Sequence, residues 1–257
     1  MSNPLINIIT RFSRKDKFLE NCLPSIQSQT YENYHHVITY ETEDMKDFLL
    51  GHIDPSKTTL CKVFPMKKIK GLSKSFYYKQ HRLFDDVDKI DAKLWTPEEE
   101  GVSSPNWKGG RTKFAHFPYN LYFIRAEKKI REGWVIYLDD DDQLYKDTAL
   151  EELARNLVDE DTLYFFRVSK GDELALLPHG YAVEHSAVPN SKQPPALGVC
   201  FSSSTQTFHS KYLEYTAWDE WSGSDWKTVQ SLWYTIPKHD LVNKPIIKVT
   251  PVQGYGE

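Results

Sequence analysis

A chain of 257 residues is long enough to bury one large core or two small ones, and nothing in its composition forces a second domain. Being 40% hydrophobic and 26% charged it reads as a folded globular protein, and a net charge of −4 argues against a broad nucleic-acid-binding surface, which needs a basic excess or stripe. No run approaches the ~18 apolar residues of a membrane span, and residues 1–7 lack the regions of a signal peptide, so the expectation is a soluble, cytoplasmic protein.

Leu5-Ile6-Asn7-Ile8-Ile9 reads as a first strand, ending in Thr10-Arg11-Phe12-Ser13-Arg14. Phe18, Leu19, Cys22, Leu23 and Ile26 recur at helical spacing and predict an amphipathic helix over residues 15–28, bent or broken at Pro24. A turn at Tyr31-Glu32-Asn33-Tyr34 leads to a second strand, His36-Val37-Ile38-Thr39-Tyr40, which runs into an acidic patch of Glu41, Glu43 and Asp44. Strand, helix and strand at this spacing make a βαβ unit with a right-handed crossover. Leu60-Cys61-Lys62-Val63-Phe64 is a third strand, stopped by Pro65.

Residues 66–111 read as an insertion, partly helical over 73–84, with a breaker-rich loop over 96–110. Tyr119, Tyr122, Phe123, Ala126 and Ile130 then give helical periodicity, leading into Gly133-Trp134-Val135-Ile136-Tyr137-Leu138, an apolar run that reads as a buried strand. A helix over 148–158 follows, with Thr148 as its N-cap and Leu150, Leu153, Ala154 and Leu157 on its apolar face. Residues 162–168 and Val199-Cys200-Phe201 are further strands. A polar loop holding Trp218, Asp219, Glu220 and Trp221 precedes a helix marked by Val229, Leu232 and Trp233, and the tail from 236 carries Ile246-Ile247-Lys248-Val249 as a last short strand. Cys22, Cys61 and Cys200 lack CxxC spacing, so neither a disulfide framework nor a zinc site is indicated.

The buried strand at 133–138 ends in Asp139-Asp140-Asp141-Asp142. Four adjacent carboxylates repel one another and need water, basic groups or a divalent cation to offset the charge. An acidic turn capping the next helix is the plain alternative. Position favours a ligand site, because open α/β sheets hold ligands in the crevice outside the carboxyl ends of their strands.

Several stretches resemble family 2 glycosyltransferases of the GT-A fold. Asn21-Cys22-Leu23-Pro24-Ser25-Ile26-Gln27-Ser28-Gln29-Thr30-Tyr31-Glu32-Asn33 is similar to the helix and turn after that family's first strand. Leu138-Asp139-Asp140-Asp141-Asp142 resembles its LDxDD signature, Asn120 an Asn that opens the helix before it, and Gly223-Ser224-Asp225-Trp226 the segment of the catalytic acid. Tyr40-Glu41 stands where the family has an Asp that accepts from the donor's base, and Ile9-Thr10-Arg11-Phe12 where it has PTYN. The resemblance implies a single α/β domain over 1–257: a mixed, mostly parallel central sheet flanked by helices, with a Rossmann-like nucleotide-binding half.

It also implies an inverting, metal-dependent glycosyltransferase that moves a sugar from a nucleotide-diphosphate sugar, a UDP-sugar foremost, to a hydroxyl of a glycan or similar acceptor. Asp139 and Asp141 would hold Mn²⁺ or Mg²⁺, with a one-residue slip to Asp140 and Asp142 as the alternative register. Thr10, Arg11, Glu41, Arg111, Asn120, Asp139 and Asp140 would line the donor, with Lys113 beside Arg111 to offset diphosphate charge. Asp225 would be the general base, with Asp219 and Glu220 in reserve, although an Asp there is also a routine first-turn helix acid. His239 would complete a metal shell from the tail. The rival readings are a nucleotidyltransferase, which also places acids around Mg²⁺ at strand ends, and a non-catalytic carbohydrate-binding protein.

Overall fold

A computed structural model describes residues 3–65, 73–75, 113–115, 118–170, 173–177, 205–219 and 224–250. Its centre is built from the apolar runs. Strand β1 (Ile6–Arg11) lies between β2 (Tyr34–Tyr40) and β6 (Trp134–Tyr137), parallel to both, and β3 (Thr58–Lys62) extends the parallel set beyond β2. Between β3 and β6 in sequence, β4 (Ser73–Ser75) and β5 (Lys113–Ala115) form a separate antiparallel pair. After β6 the chain adds β7 (Gln143–Leu144), β8 (Thr162–Lys170), β9 (Glu173–Leu177), β10 (Gln206–His209) and β11 (Lys238–Val249). Among the described residues the main sheet has nine strands in the order β3-β2-β1-β6-β10-β8-β11-β7, with β9 on β8.

Helices cover both faces. Helix α1 passes from α-helical Lys15–Lys17 through π-helical Phe18–Cys22 into α-helical Leu23–Gln27. Pro24 explains the wide turn: it has no N–H to donate, and the π segment leaves the ring in the first turn of the next α segment, where no donor is needed. With α2 (Glu43–Leu50) and α4 (Ala149–Ala154), α1 packs on one face against Ile6, Ile8, Ile136 and Phe166. Helices α3 (Tyr122–Glu127) and α5 (Ser224–Thr235) pack on the other against Ile9, Val135, Tyr137, Phe165 and Phe208. A parallel set covered on both faces is why β6 reads as an unbroken apolar run and β1 as an apolar run interrupted only by Asn7 up to Ile9. Gly133 enters β6 at φ +151°, and a Cβ there would stand 2.5 Å from the Leu5 carbonyl oxygen.

Several elements differ from the sequence expectations. Residues 43–50 form α2, so Glu43 and Asp44 are first-turn helix acids, and the Thr42 side chain caps the helix by accepting from Met45 N–H at 3.3 Å. Thr148 stands at the N-cap of α4 but makes no side-chain cap. Gln29 does that work, its Oε1 accepting from Leu150 N–H at 3.0 Å. Residues 73–75, expected in a partly helical stretch, are strand β4. β10 was not foreseen, because its buried Gln206 and Thr207 are polar. β11 begins at Lys238, eight residues before the expected last strand, and its register slips on either side of Pro245, which has no N–H for the ladder. The rest of the 66–111 insertion, its 96–110 loop and the strand at 199–201 lie outside the described residues.

Two adjacent histidines sit in the middle of this core. His36 lies beside Thr10, Nε2 to Oγ1 2.9 Å, and His35 bridges Asn7 Oδ1 (3.2 Å) and Thr59 Oγ1 (2.9 Å). Burial first, and then the neighbouring His35, lowers His36 to about 3, while burial and then Arg131 lower His35 to about 4. Both are neutral when folded, so the unfolded chain takes up more protons below its ordinary histidine value near 6.5. The stability they support is therefore complete above pH 6.5 and is lost as pH falls toward 4, by on the order of 1.4 kcal/mol per unit for each histidine. A urea midpoint that declines across this window in the wild type, and declines less in His36→Gln, is the expected result; equal slopes would contradict it.

Candidate functional site

The carboxyl ends of β1, β2 and β6 bring Arg11, Glu41 and the four aspartates to one edge of the sheet. On the α3 face, Arg11 donates from Nη1 to Asn120 Oδ1 (2.9 Å) and from Nη2 to Asp139 Oδ1 (3.1 Å), and its guanidinium lies 5.2 Å from the centre of the Phe123 ring. Glu41 accepts from the Tyr122 hydroxyl at 2.7 Å. Arg11, Asn120 and Asp139 thus form one bonded cluster. Thr10 is fully buried instead, its hydroxyl turned toward His36 and, at 3.8 Å, Cys22, so its side chain does not face the crevice.

The four acids divide. Asp140, expected at the donor, is fully buried on the α1 face: its Oδ2 accepts from Ser13 N–H (2.6 Å), the Ser13 hydroxyl (3.0 Å) and Arg14 N–H (2.7 Å), and its Oδ1 from Arg14 Nε (2.8 Å) and Nη2. It fastens the turn after β1, and a carboxylate with this many donors has no role left at a ligand. Asp142 is 4% exposed and accepts from Thr250 N–H at 3.0 Å; burial, then the charges of Asp139 and Asp141, push its carboxyl well above the usual range. Asp139 and Asp141 keep 23% and 14% of their side-chain surface in solvent. Burial thus alternates along the run, with Asp140 and Asp142 inside and Asp139 and Asp141 partly in solvent.

Arg14 also reaches Asp141, Nη1 to Oδ2 at 2.5 Å. Burial raises the Asp141 carboxyl despite this partner, and Asp139 and Asp140 raise it further. The oxygen donors at this edge are hard, a chemistry that fits a divalent ion. Among the described residues no group of three or more His, Cys, Asp or Glu is placed to hold a metal. Two carboxylates accord with Mg²⁺-type sites, where substrate phosphates and water supply the remaining oxygens.

The stretch of residues 21–33 grips the far side of the acid turn. Asn21 Nδ2 donates to the Asp141 carbonyl (3.4 Å), the Ser25 hydroxyl accepts from Leu144 N–H (3.0 Å), Gln29 Nε2 donates to the Lys146 carbonyl (2.7 Å), and Thr30 N–H to that of Asp147 (2.8 Å).

Asp225 is in the first turn of α5. The other end of that helix packs Trp233 on His239 (3.7 Å between ring centres) and near Phe165. Its first turns are bonded to the 217–219 segment, through Ala217 N–H to Thr228 Oγ1 (3.2 Å) and Asp219 N–H to Ser224 Oγ (2.6 Å). Trp218 meets Tyr137 edge-to-face, two residues before Asp139. Asp225 therefore starts its helix at the acid end of the sheet. Asp219 is ion-paired with Lys227, which engages it elsewhere. His239 stands at the opposite end: β11 is parallel to β8, and β8 and β6 are each antiparallel to β10, so the start of β11 is remote from the carboxyl end of β6. Its Nε2 lies 2.9 Å from the Trp233 carbonyl, away from the aspartates, so it does not complete a metal shell there. What β11 brings to the acids is Thr250, whose hydroxyl donates to the Asp141 carbonyl. Arg111 and Glu220 lie outside the described residues, as does the side chain of Lys113. Arg14, Ser13, Thr250 and Tyr122 were missed as site residues, and only the two arginines three positions apart carried a signal.

No protein-family model and no curated protein sequence matches the chain. Solved structures do. S. aureus TarS 1-349 in complex with UDP superposes with a TM-score of 0.58 at 12% identity, covering 95% of this chain and 60% of that one. The same protein in complex with UDP-GlcNAc gives 0.57 at 12% identity, covering 97% and 59%. Mannosyltransferase PcManGT from Pyrobaculum calidifontis, in complex with GDP-Man and Mn²⁺, gives 0.53 at 12% identity over 98% and 59%. The chain thus spans about 60% of the length of these structures. At this identity the likeness establishes the fold.

The division among the acids has a measurable consequence. Asp140→Ala leaves the Ser13 and Arg14 backbone N–H groups without their acceptor, with Arg14 keeping only Asp141, and should cost roughly 3 kcal/mol of stability. Asp139→Ala removes a partly solvated pair and should cost less than about 1 kcal/mol. Urea unfolding of both variants checks this, and equal costs would refute the division.

Proposed function

Because the chain has the GT-A glycosyltransferase fold, we propose that it is a metal-dependent, inverting glycosyltransferase that takes its sugar from a nucleotide-diphosphate donor, a UDP-sugar foremost. The observation that carries this is the pair Asp139 and Asp141, both reaching solvent at the carboxyl end of the central β6, with Arg11 bonded to both Asp139 and Asn120. That edge is where open α/β sheets bind ligands. Support for the uracil nucleotide comes from the S. aureus TarS complexes with UDP and UDP-GlcNAc, and support for the ion from the GDP-Man and Mn²⁺ complex of PcManGT.

Each step falls to a named group. Glu41, held by Tyr122, is the acceptor for the nucleotide's base or ribose where the related family has an Asp. Arg11, aimed by Asn120 and Phe123, offsets charge on the diphosphate. Asp139 and Asp141 hold a divalent ion, which when bound acts as a Lewis acid on the leaving diphosphate. Asp225, at the start of α5, takes the proton of the acceptor hydroxyl as that oxygen bonds to the anomeric carbon and the bond from that carbon to the diphosphate oxygen breaks. Attack opposite the leaving group inverts the anomeric centre. The acceptor is a glycan or another hydroxyl compound.

The test separates the two carboxylate roles. Asp141→Ala should abolish metal-dependent donor binding, whereas Asp225→Ala should keep the donor affinity and lower transfer by at least about 100-fold. Turnover at the wild-type rate in both variants would overturn the assignment.

A further inference from the structure

Helix α3 ends in a carboxylate that the transfer chemistry leaves unused. Glu127 is buried among aromatic rings, where an unpaired charge would be costly. Its Oε1 accepts from the Tyr137 hydroxyl and from Trp218 Nε1, both at 2.6 Å, and its Oε2 accepts from the Thr216 hydroxyl at 3.0 Å. Three donors from two different segments converge on one group. Burial, then the Glu127 charge, push the Tyr137 phenol well above its ordinary value, so it stays protonated and donating.

These segments belong to opposite sides of the site. Tyr137 is the last residue of β6, two positions before Asp139. Thr216 and Trp218 belong to the segment that leads to Asp225, and Ala217 and Asp219 bond Thr228 and Ser224 of α5 directly. Phe123, one turn before Glu127, closes the connection: its ring centre is 4.5 Å from Trp218 and 5.0 Å from Tyr137, and it carries the Arg11 guanidinium. One end of the α3 region thus aims Arg11 through Asn120, and the other grips the segment before Asp225.

We propose that Glu127 is a positioning residue that sets the start of α5, and with it Asp225, against the donor edge at β6. The inference rests on the transferase reading for its kinetic consequence but not for its structural one. A 1 Å misplacement of a reacting group costs about 100-fold in rate, so the cage should act on kcat while leaving the donor site intact. Geometry, not charge, is what it supplies. In Glu127→Gln the Oε1 still accepts from Tyr137 and Trp218, and the amide donates to Thr216, whose own proton turns to the Leu213 carbonyl, already 2.9 Å away.

The experiment compares Glu127→Ala with Glu127→Gln in the full chain. Hydrogen exchange should accelerate at least about tenfold at the amides of 216–219 and 224–228 in Glu127→Ala while β1 and β2 stay protected, and Glu127→Gln should match the wild type. In turnover, Glu127→Ala should lower kcat about 100-fold at unchanged calorimetric donor affinity, with Glu127→Gln within about threefold of wild type. Unchanged exchange in Glu127→Ala, an equal loss in Glu127→Gln, or a uniform loss of protection across the sheet would overturn the proposal. If the wild type binds no nucleotide, the transferase reading fails, and the exchange data alone still decide whether Glu127 holds this segment.

Discussion

The site depends on what Asp140 does inside the protein. A carboxylate buried in a sheet protein is tolerated only when its lone pairs are filled, and here the turn after β1 fills them with two backbone N–H groups, a hydroxyl and a guanidinium. That single group welds the end of β1 to the end of β6. Arg11 leaves β1 two residues before Ser13, and Asp139 leaves β6 one residue before Asp140, so their contact at 3.1 Å follows from the weld. The residues of 21–33 complete it from behind, bonding the backbone of Asp141, Leu144, Lys146 and Asp147. Four like charges in a row become workable because alternate members face opposite ways. Asp140 is paired inside with Arg14, Asp142 is buried and accepts from Thr250 N–H, and Asp139 and Asp141 meet solvent.

The helix before β6 joins this edge to the other half of the molecule. Tyr122, Phe123 and Glu127 of α3 touch Glu41, Arg11 and the Thr216–Trp218 segment in turn. A short helix thus joins these segments by hydrogen bonds and by ring contacts, edge-to-face with Tyr137 and tilted with Trp218, rather than by apolar packing alone. The polar network is the reason these segments hold one arrangement: each donor is directional, and leaving any of them unmade inside the core is expensive.

How much of this was legible in the sequence follows from the range of each interaction. β1, β6 and the helix over 15–27 were readable because a strand buried on both faces is a contiguous apolar run and an amphipathic helix repeats its own period. The acid edge was readable because its position after β6 needs no knowledge of side-chain direction. Glu43 and Asp44 read as an acidic patch and hide helix α2, although Thr42 three residues before Met45 is a usable capping signal. β10 was lost because Gln206 and Thr207, fully buried, break the apolar pattern. Which aspartates face inward was not legible at all: that is set by Ser13 and Arg14, more than 120 residues away in the chain, and by Thr250 from the far end of β11. His239 failed for the same reason, since only the strand directions show that it starts at the opposite end of the sheet.

The account stands on the carboxyl edge of β1, β2 and β6 being a nucleoside-diphosphate site that uses a divalent ion. Calorimetric titration of the intact chain with UDP, and with GDP, CDP and dTDP for comparison, in Mn²⁺ and again in EDTA tests this most directly. The prediction is saturable binding of UDP in Mn²⁺ that weakens at least about tenfold in EDTA, with the other nucleotides weaker. Absence of binding by every nucleotide in Mn²⁺ would contradict the site as described, and metal-independent binding would contradict the role given to Asp139 and Asp141.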